Sequence, residues 1–257
     1  MSGPVELVGV IASGLLVLVA VGISWWAGLH LERDLITAAV RAAAQLALLG
    51  LVLVAILTPG QPLILSWLWV AVMIVFAGWT VQRRVPSVPR LWLLSIGAFT
   101  VAAAVTLGIL FGAGVFPVDS TTVVPLAGLM IGNSMTATVL VTRRITAEFK
   151  DKRLEIEARL ALGQPSAQAA APYLRESLRT ALVPQIETTK AVGIVFLPGM
   201  MVGLLLAGVT PLDAVQAQLV IMYLVLGSVA VTTSVIALGL RRMLFTPAHQ
   251  LRLPAGS

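Results

Sequence analysis

Long apolar runs recur along the chain, and short polar connections separate them. Seven of these runs come close to the roughly 20 residues that an α-helix needs to cross a bilayer. Helices are expected throughout, because an open strand edge leaves backbone groups unsatisfied in lipid. The pattern predicts an all-α polytopic membrane protein with about seven transmembrane helices, at Val5–Trp26, Leu35–Leu57, Leu63–Val81, Leu91–Gly112, Thr122–Val141, Glu187–Gly208 and Ala214–Leu240.

Composition agrees with a membrane protein. Of 257 residues, 58% are hydrophobic and 11% are charged, whereas soluble domains carry about 25% charged residues. The first apolar run lacks a preceding basic stretch and is too long for a signal-peptide core, so we expect a retained span. No cysteine is present, which excludes disulfides and thiolate metal sites, and His30 and His249 lie outside the predicted spans. We expect one transmembrane domain over residues 1–257.

The net charge of +6 indicates topology rather than nucleic-acid binding. Among the connections, one alternate set carries Lys and Arg and the other carries none, which by the positive-inside rule puts the N-terminus outside and the C-terminus in the cytoplasm. An odd number of spans, such as seven, also places the two termini on opposite sides of the membrane. We expect an integral protein of the bacterial inner (plasma) membrane. The basic connections carry Arg33, then Arg83, Arg84 and Arg90, then the cluster from Arg143 to Arg179, then Arg241, Arg242 and Arg252.

One connection, residues 143–186, is long and charged. It predicts a helix over Ile145–Leu162 that Gly163 and Pro165 end. Ser166 is then expected to cap a short second helix, and Pro172 to open a third that ends near Pro184. We interpret this connection as a cytoplasmic segment with a coupling role.

Within this connection Glu157, Ala158 and Gly163 have the spacing E-A-x-x-x-x-G. The same pattern occurs in the cytoplasmic loop of ABC-transporter permeases, where a membrane subunit meets a separate ATPase. A small residue and a glycine break let a short helix lie in a groove of the partner. The alternative is an ordinary amphipathic surface helix.

From Arg41 to Leu240 the sequence resembles the ABC permeases linked to bacterial iron export and to aluminium tolerance in plants. This resemblance implies a permease that works with a separate ATP-binding subunit, two of each per transporter, and exports a metal ion such as iron or a small solute. The chain itself has no G-x-x-x-x-G-K-[ST] phosphate loop, so we expect no bound cofactor and ATP only in the partner. The resemblance rests on four blocks in order, Arg41–Gly50, Gly128–Arg144, Ile156–Pro184 and Ala191–Tyr223.

Pro198 and Gly199 predict a broken helix in the sixth span, because proline lacks a backbone N–H and disrupts the bond to the carbonyl of Ile194. Free carbonyls at mid-membrane are tolerated against protein or a watery cavity. The break, with Met200 and Met201 after it, is therefore a candidate translocation site or hinge. A simple packing kink is the alternative.

Small residues recur at four-residue spacing, as Gly128 and Gly132 and as Gly199 and Gly203. Such faces let membrane helices approach closely. They predict either the joint between two permease copies or the packing of the fifth span on the sixth. Asn133 and Ser134 follow directly and either bond a neighbouring helix or line the pathway.

Ionisable and strongly polar residues are few within the spans. Glu187 and Lys190 are three residues apart near the predicted start of the sixth span, and Arg41 and Gln45 share a face of the second. Snorkelling to the interface accounts for Arg41 and Lys190. The alternative is that Glu187 and Lys190 form a charged gate.

Methionines lie near these motifs, yet thioether sulfur suits soft metals, whereas iron prefers oxygen and imidazole ligands. Adaptable packing is the simpler role for them, so the residues themselves predict no metal site. Two other functions stay open at this point. An ion-coupled secondary transporter needs a deep carboxylate, and a non-transporting scaffold or receptor is compatible with seven spans. An intramembrane enzyme is disfavoured, because no H-E-x-x-H or G-x-S-x-G motif is present.

Overall fold

The computed structural model describes residues 7–58, 60–194, 197–246 and 248–252, without the side chains of residues 7, 8, 10 and 11. In this part of the chain every long element is an α-helix, and an isolated bridge pairs Phe245 with Leu251. The prediction of an all-α polytopic fold is confirmed. The helices are α1 Leu7–Trp26, α2 Glu32–Leu57, α3 Ile64–Arg84, α4 Leu91–Gly112, α5 Ser120–Asp151, α6 Arg153–Ala161, α7 Ser166–Ala191, α8 Gly199–Leu206 and α9 Pro211–Leu244.

Two compact units divide the chain, Met1–Gln61 and Pro62–Ser257. In the first, α1 and α2 pack against each other. Ser24 closes their connection, because its hydroxyl donates to Oε1 of Glu32 at 2.8 Å and accepts from the backbone N–H of Leu31 at 3.1 Å. The expectation of a single permease domain stays a prediction from the sequence.

The second unit is a bundle built on α3, α4, α5 and α9, which pack against one another around an apolar core. Phe99, Met130 and Ile236 are fully buried there. Close helix contact depends on two glycines. A Cβ on Gly78 would lie 2.7 Å from Cγ1 of Ile96, and one on Gly239 would overlap the side chain of Leu94.

Helices α5 and α9 are longer than a bilayer requires. At 1.5 Å per residue, the 32 residues of α5 extend about 48 Å, whereas the hydrocarbon core is about 30 Å thick. The polar last third of α5 therefore continues beyond the membrane. Both helices begin at side-chain caps, since Asp119 accepts from the N–H of Thr122 at 2.9 Å and Thr210 accepts from that of Asp213 at 3.3 Å.

Five helices in the described residues are long and apolar enough to cross a membrane, namely α2, α3, α4, α5 and α9. They correspond to five of the seven predicted spans. The first predicted span begins at Val5, outside the described residues, and continues as the apolar helix α1. The sixth, Glu187–Gly208, is interrupted, in agreement with the break predicted at Pro198. Helix α7 ends at Ala191, and α8 is only eight residues, about 12 Å, long.

The helices predicted in the long connection are partly wrong. The helix expected over Ile145–Leu162 is interrupted at Lys152, where α5 ends and α6 begins. Pro165, not Ser166, occupies the N-cap of the next helix. That helix runs unbroken to Ala191 through Pro172 and Pro184, because packing of α7 on α5 and α9 outweighs the backbone bonds that the two prolines remove.

Candidate functional site

The break between α7 and α8 is the main irregularity within the bundle. The described residues Val192, Gly193, Ile194 and Leu197 leave the helical path, and Gly193 has a φ of +86° that favours glycine. Pro198 is the N-cap of α8 and Gly199 its first residue. A break next to Pro198 is thus confirmed, but it begins six residues earlier than the proline.

A cavity of about 220 Å³ lies beside this break. Helices α5, α7 and α9 and the start of α8 surround it. Asn133 of α5 reaches it about 20 Å from the first residue of that helix, which is near the middle of a 30 Å membrane core. The residues around it are Leu129, Asn133, Gln185, Thr188, Val192, Pro198, Gly199, Met200, Gln218, Ile221, Met222 and Val225.

Four polar side chains face this cavity from three helices. Asn133 donates its amide N–H to the carbonyl of Leu129 in its own helix at 2.8 Å, which leaves its amide oxygen for another partner. The hydroxyl of Thr188 likewise donates within α7, to Pro184 at 2.8 Å. Gln218 is only 6% exposed, and its Oε1 has no hydrogen-bond partner among the described residues. Gln185 adds a third amide.

The lining is uncharged and mostly apolar, apart from these four polar side chains. Amides and hydroxyls supply hydrogen-bond donors and oxygen acceptors, and Met200 and Met222 add thioethers. No group of three or more His, Cys, Asp or Glu side chains that could hold a metal ion occurs in the described part of the chain. The cavity can therefore hydrogen-bond a polar cargo or the water around an ion, but it offers no charged ligand set for tight binding of a bare metal.

Glu187 and Lys190 form an ion pair at 2.9 Å on the last turn of α7, and both side chains are well exposed, at 61% and 66%. The pair follows the cavity residue Gln185 and flanks Thr188. It therefore lies at the end of a helix beside the cavity, and not at the beginning of a span as the sequence suggested. A role as a gate stays a prediction.

Other predicted pathway and packing residues take different positions. Ser134 points away from the cavity into the core, where its hydroxyl is fully buried and lacks a hydrogen-bond partner among the described residues. Met201 is half-buried and does not line the cavity. In the first unit, Arg41 and Gln45 are both exposed on α2. Their interpretation as snorkelling or functional groups stays open.

The predicted glycine faces do not make tight contacts within the chain. Among the described residues, a Cβ on Gly132, Gly199 or Gly203 would meet nothing within 4 Å, and one on Gly128 would reach only Cε of Met73 at 3.9 Å. The described residues therefore show no tight packing of the fifth span on the sixth at these glycines. A role for these open glycine faces in the contact between two permease copies stays a prediction.

The predicted coupling segment forms a short elbow at the polar end of α5. We use this name for α6 and the turn that follows it as far as Ser166. Helix α6 is anchored by Ile156, which is fully buried in the same core cluster as Phe149 and Tyr173. Gly163 ends it with a φ of +85°, as the sequence predicts. Ser166 begins α7, and its N–H and hydroxyl lie 3.3 and 3.0 Å from Nδ1 of His249, which joins the elbow to the segment after α9.

The opposite face of α6 is apolar and exposed. Leu154 and Ala158 are four residues apart and so share one side of α6, and Leu162, the C-cap residue, follows at the same spacing. The two leucines are 80% and 83% exposed, and Ala158 is exposed between them. Glu157 is held beside this face, because its Oε1 accepts from Nε of Arg153 at 2.7 Å. Pro165, also exposed, follows at the turn.

Polar contacts fix α6 against α7. Lys152 donates to Oε1 of Glu155 at 2.7 Å, and the hydroxyl of Tyr173 donates to Oε2 at 3.0 Å. The hydrogen bond from Lys152, followed by that from Tyr173, holds the pKa of Glu155 below its ordinary value. Glu155 in turn raises the pKa of Lys152. At neutral pH Glu155 is therefore negative and Lys152 positive, and the two side chains pair.

Comparison with known proteins assigns the chain to a family. The family model described as "Uncharacterised protein family (UPF0014)" matches residues 7–245. The chain belongs to this family. Its sequence is 34% identical to the rice "UPF0014 membrane protein STAR2" over 94% of this chain and 84% of that protein. It is 33% identical to the Escherichia coli "Probable iron export permease protein FetB", over 92% and 91%.

A third relative is the Arabidopsis "Protein ALUMINUM SENSITIVE 3", 31% identical over 94% of this chain and 88% of that protein. The resemblance to iron-export and aluminium-tolerance permeases is therefore confirmed. With the five apolar helices, it makes the chain an integral membrane protein of a permease family. No solved structure matches the chain.

Sequence reasoning missed three of the four polar cavity residues, Gln185, Thr188 and Gln218. Gln218 had the clearest signal, since a glutamine in an otherwise apolar span is expensive unless it has a role. Gln185 and Thr188 were hidden because the last helix of the charged connection was expected to end near Pro184. The extension of α7 past that proline brings them to the cavity.

Proposed function

We propose that the chain is the membrane-spanning subunit of an ABC transporter and that a separate ATP-binding subunit drives it through α6. The observation that carries this proposal is the exposed face of Leu154, Ala158 and Leu162. Large apolar side chains that are 80% or more exposed on a charged segment outside the membrane mark an interaction surface. Ala158 in the middle leaves room for a partner's side chains.

Helix α7 supplies the mechanical link from this surface to the cavity. It begins at the elbow with Ser166 and ends beside the cavity with Thr188 and Ala191. Its 26 residues extend about 39 Å as one helix. Displacement of the elbow by a partner is therefore transmitted to the break before Pro198. The break can absorb the change, because it has no continuous helical hydrogen bonding to preserve.

The cavity beside Asn133, Gln185 and Gln218 is the cargo site in this proposal. The iron-export permease among the relatives supports outward transport of a metal ion such as iron, and the uncharged lining supports a hydrated or complexed ion or a small polar solute. The alternating basic connections support an N-terminus outside and a C-terminus in the cytoplasm of a bacterial inner membrane. The open faces of Gly132 and Gly203 support a permease homodimer.

Co-purification tests the proposal. The chain is expressed with ATP-binding subunits from the same cell, as the native sequence and as Leu154→Ser with Leu162→Ser. We expect a nucleotide-hydrolysing partner to co-purify with the native chain and to be lost from the double variant. Leu212→Ser is the control, because Leu212 is 69% exposed at the other end of the bundle. Equal recovery of the partner with all three chains would refute coupling through α6.

A further inference from the structure

A second polar site lies at the arginine-rich end of the bundle, away from the cavity and the exposed face of α6. A groove of about 430 Å³ runs between the connection after α3, residues 84–87, and the end of α5, residues 143–151. Arg84, Arg143 and Lys150 line it, together with the single carboxylate of Asp151. In the described part of the chain none of these four side chains forms an ion pair.

The groove is held in shape from within. Nη2 of Arg143 donates to the backbone carbonyl of Arg84 at 2.9 Å, which ties α5 to the connection after α3. A guanidinium has five N–H donors, so most donors of Arg143 stay available. Thr146 and Val85, at the base of the groove, are buried. The cations thus project from a fixed surface.

Depth places this groove at the lipid headgroups. Helix α3 has 21 residues, about 31 Å, which matches the hydrocarbon core of a bilayer, and Arg84 is its last residue. Trp79 and Trp92 are half-exposed nearby, as is usual for tryptophan at membrane interfaces. The guanidinium of Arg83 lies 4.6 Å from the ring centre of Trp79, so Arg83 is engaged outside the groove.

We propose that Arg84, Arg143 and Lys150 bind the phosphate of an anionic phospholipid in the adjacent leaflet. Arginine and lysine together suit phosphate oxygens. At about 30 Å³ per water, the groove has room for about fourteen waters, enough for a phosphodiester and its glycerol linkage. Asp151 disfavours a free phosphate dianion more than the single charge of a phosphodiester. This inference does not depend on the proposed function.

Spin-labelled lipids test the proposal. The full chain is reconstituted in phosphatidylcholine vesicles with either spin-labelled phosphatidylglycerol or spin-labelled phosphatidylcholine, and the immobilised fraction is measured. We expect the native chain to prefer phosphatidylglycerol. Each basic side chain near an anionic leaflet contributes about five-fold in affinity, so Arg84→Gln with Lys150→Gln should lower the preference at least ten-fold. Arg83→Gln, the neighbouring control, should retain it.

Three outcomes would overturn the assignment. The first is that the native chain shows no preference for phosphatidylglycerol. The second is that Arg83→Gln loses as much preference as the double variant, which would indicate unspecific attraction of the lipid to basic residues. The third is that millimolar inorganic phosphate displaces the labelled phosphatidylglycerol completely, which would indicate a free-phosphate site. Lys150→Gln alone keeps the test valid if the double variant does not fold, because Lys150 makes no side-chain hydrogen bond or ion pair with the described residues, whereas the bond from Arg143 to Arg84 remains.

Discussion

The hydroxyl of Tyr173 on α7 donates a hydrogen bond to Oε2 of Glu155 on α6, at 3.0 Å. This bond joins the helix that offers an exposed apolar face to the helix that reaches the cavity. The guanidinium of Arg159 lies 5.8 Å from the ring centre of Tyr173 and adds a second contact between the two helices. The elbow and α7 can therefore move as one body.

Tyr173→Phe should weaken this coupling while the fold persists. The ring remains in the core, and the substitution removes only the hydroxyl that donates to the exposed, solvent-screened carboxylate of Glu155. We expect ATP hydrolysis by the partner to continue while transport falls several-fold. The ratio of transported cargo to hydrolysed ATP measures this, and an unchanged ratio would show that the contact is not needed for coupling.

The elbow should loosen at low pH. Because the pKa of Glu155 in the folded chain is lowered from 4.5, chiefly by Lys152, its stabilising contribution is present above pH 4.5 and is lost as the pH falls through the lowered folded-state value. The raised pKa of Lys152 adds a contribution that is present below pH 10.5 and lost as the pH rises beyond the folded-state value. Hydrogen exchange of residues 152–175 measures both limits. Glu155→Gln should abolish the loosening at low pH. If the variant still loosens at low pH, another group is responsible.

Gln218→Leu should separate stability from transport. Its unpartnered, buried Oε1 costs about 1–3 kcal/mol, so leucine should leave the melting temperature unchanged or raised while transport falls at least ten-fold. Ser134→Ala is the matched control, because Ser134 is equally unpartnered but points into the core. Thermal unfolding and vesicle transport are measured for both variants. Full transport by Gln218→Leu would show that the cavity is not part of the transport pathway.

Glycine substitutions should distinguish tight packing from open faces. Gly78→Ala forces a Cβ against Ile96 and the carbonyl of Trp92, so we expect a loss of about 1–3 kcal/mol in the free energy of unfolding, as for other overpacked sites. Gly132→Ala should not destabilise the single chain, because its Cβ would meet nothing within 4 Å. It should weaken only self-association. Denaturant unfolding in detergent compares the two, and equal losses would contradict this assignment.

Hydrophobic runs were sufficient to predict most of the fold, because a membrane requires long apolar helices. The sequence also placed the start of α8 at Pro198 and the end of α6 at Gly163, since each residue acts on its own backbone. The end of α7 was not predictable in this way. Gly193 supplies the positive φ, but glycine is common inside membrane helices and gave no distinct signal.

The cavity could be predicted only in part. Asn133 and the Pro198 break stand out in the sequence, whereas Gln185 and Thr188 reach the cavity only because α7 continues through Pro184. The continuity of α7 depends on its packing against α5 and α9. A local sequence pattern does not predict such contacts between distant helices. The same is true of the glycines, where the four-residue spacing pointed to Gly128 and Gly132, but the close contacts occur at Gly78 and Gly239.

Vesicle transport with and without a partner tests the central claim most directly. The purified chain is reconstituted alone and with its co-purifying ATP-binding subunit, and movement of radioactive iron is followed with and without ATP. The account predicts transport only when both subunits and ATP are present, and its loss in the Leu154→Ser and Leu162→Ser double variant. Transport by the chain alone, driven by an ion gradient, would contradict it.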